Sequence, residues 1–134
     1  MWKESYRIGI DQIDQQHKQL VETLADLLAA IDDPSQDAKK NCALTIDFLK
    51  SYAVVHFNTE EAYQEKIRFA EAERHKALHD EFKTQLHTYE LALIRSDYAR
   101  EDIQALCSYL TKWWIYHIIK EDKKMGDAPK LVVL

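Results

Sequence analysis

Glycine and proline are almost missing, with two of each in 134 residues. So little turn chemistry excludes a fold of many tight hairpins and leaves long helices joined by brief polar links. Cysteine is equally scarce. Cys42 and Cys107 lie far apart and outside any CxxC spacing, which excludes a disulfide framework and a thiolate zinc site and leaves two reduced core thiols. No apolar run approaches the ~18 residues of a membrane span. The opening MWKESYRIGI lacks the basic and apolar regions of a secretory leader. The expectation is a cytoplasmic protein with no membrane insertion. Basic residues are outnumbered, 18 to 23, for a formal charge of −5. No basic stripe interrupts that balance, so a general nucleic-acid binder is not expected.

What is present is apolar spacing of helical period along nearly the whole chain. With 46% hydrophobic residues, a chain of this length can bury one continuous core. The spacing predicts four helices, over roughly 12–31, 37–64, 71–94 and 99–124. Their apolar stripes run through Ile13, Leu20, Leu24, Leu27 and Ile31, then Cys42, Ile46, Leu49 and Tyr52. Phe82, Leu86, Tyr89 and Leu93 continue the series, then Ile103, Leu106, Leu110 and Trp113. DDPSQD closes the first helix, KIRFAEA interrupts after the second, and RSDYA offers polar residues for a turn and cap before the fourth. Similar lengths and short links predict an all-α, antiparallel up-down-up-down four-helix bundle. The whole chain reads as one domain, with residues 1–11 as an N-terminal arm and 127–134 as a tail.

Histidines break into these stripes. His17 occupies the slot between Ile13 and Leu20, where the pattern expects an apolar residue; His56 follows Leu49 and Tyr52, with Glu60 one turn later. His75 and His79, the two ends of HKALH, lead into Phe82, and His117 follows Leu110 and Trp113. Five of the six histidines, drawn from all four helices, therefore face one core. A single core histidine is ordinary packing, but five would each need a buried partner that the neighbouring sequence does not supply. A metal centre accounts for all five. His87 stands off the stripe and reads as solvated.

Imidazoles and carboxylates suit iron, zinc, copper or nickel, but five histidines with acids exceed the about four ligands of a structural zinc. Lys76 occupies the place of the glutamate that HExxH requires, so metal-assisted proteolysis is not indicated. Two metals with about six positions each fit better. Five histidines, two bridging carboxylates and one bridging solvent oxygen fill about eleven of about twelve positions, leaving one on one metal for a small diatomic ligand.

The segments GIDQIDQQH, HFNTEE, HKALH and WWIYHIIKED, in that order, resemble the four ligand segments of the hemerythrin family, specifically its stand-alone bacterial members. The likeness runs from Trp2 to about Gly126. It implies a non-haem di-iron centre with an oxo or hydroxo bridge, in which His75, His79 and His117 hold one iron and His17 and His56 the other. Glu60 and Asp122 would bridge both. It also implies reversible dioxygen binding for transport, storage or buffering rather than catalysis, with an oxygen-consuming protein as a possible recipient. The alternatives on the same site are a di-iron oxidase or peroxidase, a nitric-oxide-handling enzyme, or an oxygen or iron sensor. None of the histidines has a glutamate three residues before it, unlike the ExxH motifs of carboxylate-rich di-iron bundles, which favours binding over turnover.

Reversible binding needs a dry pocket, for which Leu20, Phe57, Trp113, Trp114 and Ile118 stand beside the implied ligands. Trp114 replaces a frequent leucine of the family, Tyr63 a common methionine and Ala70 a frequent proline. One spacing conflicts with regular geometry. Asp122 lies five residues after His117, about 140° around an ideal helix, so periodicity alone favours Glu121. The resemblance selects Asp122 and therefore predicts a π-type widening or a loosened turn near 118–122. A further expectation is that Glu60 and Asp122 take up protons when no metal is present.

Overall fold

The computed structural model describes residues 1–128. A single 3-10 turn, Glu4–Tyr6, precedes helix α1, Asp11–Ile31. Helices α2, Ala38–Ile67, and α3, Ala72–Arg95, follow. Helix α4, Arg100–Tyr116, runs into a π-helical segment, His117–Asp122, and ends in the short α5, Lys123–Asp127. Helix α1 packs on α2 and α4, and α3 packs on the same two helices. The result is a four-helix bundle in which sequence neighbours are spatial neighbours. Residues 129–134, which include most of the expected tail, lie outside the described part.

The links explain how so few glycines suffice. Asp37 caps α2 by accepting a hydrogen bond from Lys40 N at 3.0 Å. At the other end Arg68 takes the left-handed conformation, φ 52°. The N–H of Phe69 bonds to Gln64 O at 2.9 Å and that of Arg68 to Glu65 O at 3.2 Å, a Schellman closure built on arginine instead of glycine. This carries α2 to Ile67, beyond the 64 expected from spacing. Between α3 and α4, Ser96 Oγ accepts from Ala99 N at 3.2 Å. Asp97 and Tyr98 supply two left-handed residues, φ 53° and 61°.

The core is in two parts. The larger contains Leu20, Leu24, Leu49, Phe57, Phe82, Leu110 and Trp114; the smaller contains Ile8, Ile13, Val21, Ile67, Ile118 and Met125. Along α1, α2, α3 and the π-helical segment the buried histidines and acids fall between residues of these parts or at their border. Cys42 and Cys107 are free and buried in the larger part. Burial pushes their thiols up, to about 11 and about 12, as expected of inert core sulfur. Among the described residues no helix is long and apolar enough to cross a membrane.

The arm is tied down by a residue that the spacing argument passed over. Asp14, buried on α1, accepts hydrogen bonds from Ile8 N at 2.7 Å and Gly9 N at 3.1 Å. Gly9 makes the approach possible with φ +92°.

Candidate metal centre

Seven side chains meet between the two core parts, and they are the seven named from the sequence. His17 comes from α1, His56 and Glu60 from α2, His75 and His79 from α3, and His117 and Asp122 from the π-helical segment. All are buried, none more than 3% exposed. They form two groups in which the candidate ligand atoms lie within 4.8 Å of one another. One is Glu60, His75, His79, His117 and Asp122; the other is His17, His56, Glu60 and Asp122. The two carboxylates are common to both.

The imidazoles present Nε2 to the carboxylates. Asp122 Oδ2 is 2.8 Å from His17 Nε2, and Asp122 Oδ1 is 2.7 Å from His75 Nε2 and 2.9 Å from His117 Nε2. Glu60 Oε1 is 2.8 Å from His56 Nε2 and 3.7 Å from His79 Nε2. Nevertheless Nε2 of His17, His56, His79 and His117, both oxygens of Glu60 and Oδ2 of Asp122 are buried without a well-formed hydrogen bond. Buried polar atoms are rarely left so. A cluster of them converging from four helical segments has the chemistry of a donor set, nitrogen and oxygen atoms suited to a first-row transition metal.

The expected irregularity in the last helix is present. The π-helical turn covers His117–Asp122, and its i→i+5 widening turns Asp122 toward His117. Glu121 instead receives the Arg74 guanidinium, with Nη1 to Oε2 at 2.6 Å and Nη2 to Oε1 at 3.0 Å. That contact holds the Glu121 carboxyl below its usual range.

Three polar side chains outside the expected set orient the rings from behind. Gln16 Oε1 lies 2.7 Å from His56 Nδ1, and Gln16 Nε2 donates to Thr59 Oγ1 at 3.2 Å. That arrangement makes Nδ1 the donor and leaves Nε2 of His56 free to ligate. Glu61 Oε2 lies 3.1 Å from His79 Nδ1 and, as a carboxylate, can only accept there. The Gln64 amide is 2.8 Å from His75 Nδ1; turned with its oxygen to the ring, it plays the same part. Gln64 carried a legible signal, being one turn after Glu60 on the buried face.

Protonation without metal differs from expectation for Asp122. Burial opposes its charge, but His117, His17 and His75 outweigh burial and hold the carboxyl well below the usual range. At His75, burial works downward, yet the hydrogen bond and charge of Asp122 raise the pKa above 6.5. Burial, then the neighbouring His75 and His117, push His79 down to about 2.

The structure places Leu20, Phe57 and Trp114 fully buried in the larger core part, and Ile118 fully buried in the smaller one. Trp113 is half-buried, its ring flat against His117 with centroids 4.4 Å apart and planes 10° from parallel. His87 is solvated, its side chain 66% exposed.

A helical bundle with such a buried imidazole and carboxylate cluster defines a metal-site class, and comparison with known proteins makes it specific. Residues 8–128 match the family model described as the hemerythrin HHE cation binding domain. Over 133 residues the chain is 32% identical to a bacteriohemerythrin of Stenotrophomonas maltophilia, covering 97% of this chain and 81% of that protein. A bacteriohemerythrin of Clostridium acetobutylicum is 29% identical over 95% of this chain and 98% of its own length. The chain belongs to the hemerythrin family. A wild-type hemerythrin crystal structure superposes with a TM-score of 0.71 at 23% identity, covering 95% of each chain, which places the bundle in the same fold.

Proposed function

We propose that this protein binds dioxygen reversibly at a non-haem pair of iron ions, as a carrier, store or buffer and not as an enzyme. The observation that carries this reading is the uneven division of the buried donors. Three histidines stand on one side of Glu60 and Asp122 and two on the other. His75, His79 and His117 would hold one iron, His17 and His56 the second, and the two carboxylates both. When bound, two ferrous ions supply the pair of electrons that dioxygen takes up and gives back.

The chain supplies the remaining conditions. The two-histidine group is one donor short of its neighbour, which leaves room for a small diatomic ligand. Gln16, Glu61 and Gln64 fix the rings so that ligand geometry is set before metal arrives. Leu20, Phe57 and Trp114 exclude water on the side of the larger core, limiting the proton access that would strand oxidised iron. Among the described residues two carboxylates reach the centre, a set that stabilises high-valent iron less than a carboxylate-rich one and so favours release over oxidation of a substrate.

The test is the visible spectrum of iron-loaded protein through reduction, oxygen exposure and oxygen removal under argon. Reversible binding gives a colourless reduced form that develops charge-transfer bands with oxygen and bleaches again. Immediate one-way conversion to a ferric species would overturn the carrier reading and favour an oxidase, peroxidase or sensor.

A further inference from the structure

Glu121 and Asp122 are adjacent acids, both nearly buried at 6% and 0% exposure, yet only Asp122 joins the donor cluster. In a regular helix the i+4 residue, Glu121, would share the side of His117. The two carboxyls meet different partners where α3 approaches the π-helical turn. Arg74, immediately before His75, grips both oxygens of Glu121, at 2.6 and 3.0 Å. Such a forked contact fixes the plane and direction of a carboxylate as well as neutralising it. Among the described residues Lys124 also approaches Glu121 but stands farther off, at 3.8 Å. The Arg74 side chain is itself 52% exposed, so its hold on Glu121 is not a by-product of core packing.

We propose that Arg74 is a positioning residue that selects the carboxylate of the metal centre: by binding Glu121 it fixes the π-helical register and keeps a third carboxylate off the metals. The inference rests on the metal-binding reading of the seven-residue cluster. Without Arg74, Glu121 becomes a nearly buried anion lacking its forked partner, a costly state. Lys124, at 3.8 Å, is then its nearest cation, a single flexible charge without the fork, and the metal pair competes with it for the carboxylate. Relaxing the turn from i→i+5 to i→i+4 brings Glu121 to the side of His117 in place of Asp122 or beside it. The centre then gains anionic character and shifts toward stable ferric iron.

The experiment is Co²⁺ titration of the metal-free full-length protein, because the visible bands of Co²⁺ report its donor set without iron or oxygen. Arg74→Ala is expected to displace the bands and change Co²⁺ affinity by about tenfold. Adding Glu121→Gln removes the competing carboxylate and is expected to restore both toward wild type. Arg74→Lys, which keeps the charge without the fork, gives a foldable intermediate and is expected to displace the bands part of the way. Wild-type bands in Arg74→Ala or Arg74→Lys, whatever their melting temperatures, overturn the selection role, as does a double variant no closer to wild type than Arg74→Ala. A wild-type chain that takes up no Co²⁺ overturns the metal-binding reading itself.

Discussion

The ring of Phe57 lies flat on the imidazole of His79, with centroids 3.9 Å apart and planes 11° from parallel. Phe57 also stacks on Trp114, at 5.6 Å and 17°. Stacked aromatic rings thus form the face that the larger core turns toward the donor cluster. Trp114 is fully buried and its Nε1 has no hydrogen-bond partner, so the indole is retained at some cost.

Trp114→Leu is therefore expected to open a cavity beside the centre. The lost packing should destabilise the protein by about 2–4 kcal/mol, below the usual cost of Trp→Ala because leucine fills part of the space and no N–H is orphaned. Oxygen access and autoxidation should both quicken. Chemical denaturation and the rate of ferric conversion in air check the two effects. An unchanged autoxidation rate would show that Trp114 does not limit access.

Behind the rings, Gln16, Glu61 and Gln64 set which nitrogen carries a proton. Replacing Glu61 or Gln64 by leucine should lower metal affinity by about 10–100-fold while leaving helix content intact, because the ring loses both its orientation and its acceptor. Competition against a chelator of known strength measures this. Affinity equal to wild type in both variants would mean that packing against Phe57 and the neighbouring imidazoles suffices to orient the rings.

Removal of metal should lower the melting temperature markedly, since the orphaned Nε2 and carboxylate atoms then lose their partner. The metal-free protein should also become acid-sensitive. The pKa of His79 falls from 6.5 unfolded to about 2 folded, so its contribution is fully present above 6.5 and is lost progressively as pH drops. His75, shifted upward, has the opposite sign: its contribution is complete below 6.5 and disappears as pH rises through its folded value. Asp122, shifted down, begins to lose its contribution only below its unfolded value of 3.8. Between pH 6.5 and 4 the His79 loss stands alone among these three. A melting series on metal-free wild type and His79→Leu should show the variant less acid-sensitive in that window.

The bundle was legible because apolar period and scarce turn residues agree along the whole chain, and the seven clustered residues because each polar side chain breaks an apolar stripe. Asp122 is the instructive exception. Regular periodicity points to Glu121, and only the family likeness anticipates the π-helical turn that reverses the choice. The acceptors behind the rings were less visible. Gln16 and Glu61 adjoin named residues in sequence, and polar side chains there are common on solvated faces; only three-dimensional placement against Nδ1 distinguishes them.

The N-terminal arm is seated against the short α5. Gly126 passes so close to the arm that an added Cβ would lie 2.0 Å from Ile8 O and 3.0 Å from the Ile8 carbonyl carbon. Backbone cannot yield as a flexible side chain does, so Gly126→Ala should force the arm away, costing about 1–3 kcal/mol. Asp14→Ala should release the same segment without a clash, by leaving the Ile8 and Gly9 N–H groups without their acceptor, at a similar cost. Limited proteolysis distinguishes arm release from general unfolding: both variants should be cleaved within residues 1–10 under conditions where wild type and the exposed-site control Leu44→Ala stay intact. Because Ile8 shares the smaller core part with Ile13, Val21 and Ile118, arm release should also admit water from that side and hasten autoxidation. Cleavage of the arm with no change in autoxidation would confine its role to stability and leave the larger core, at Phe57 and Trp114, as the barrier that matters.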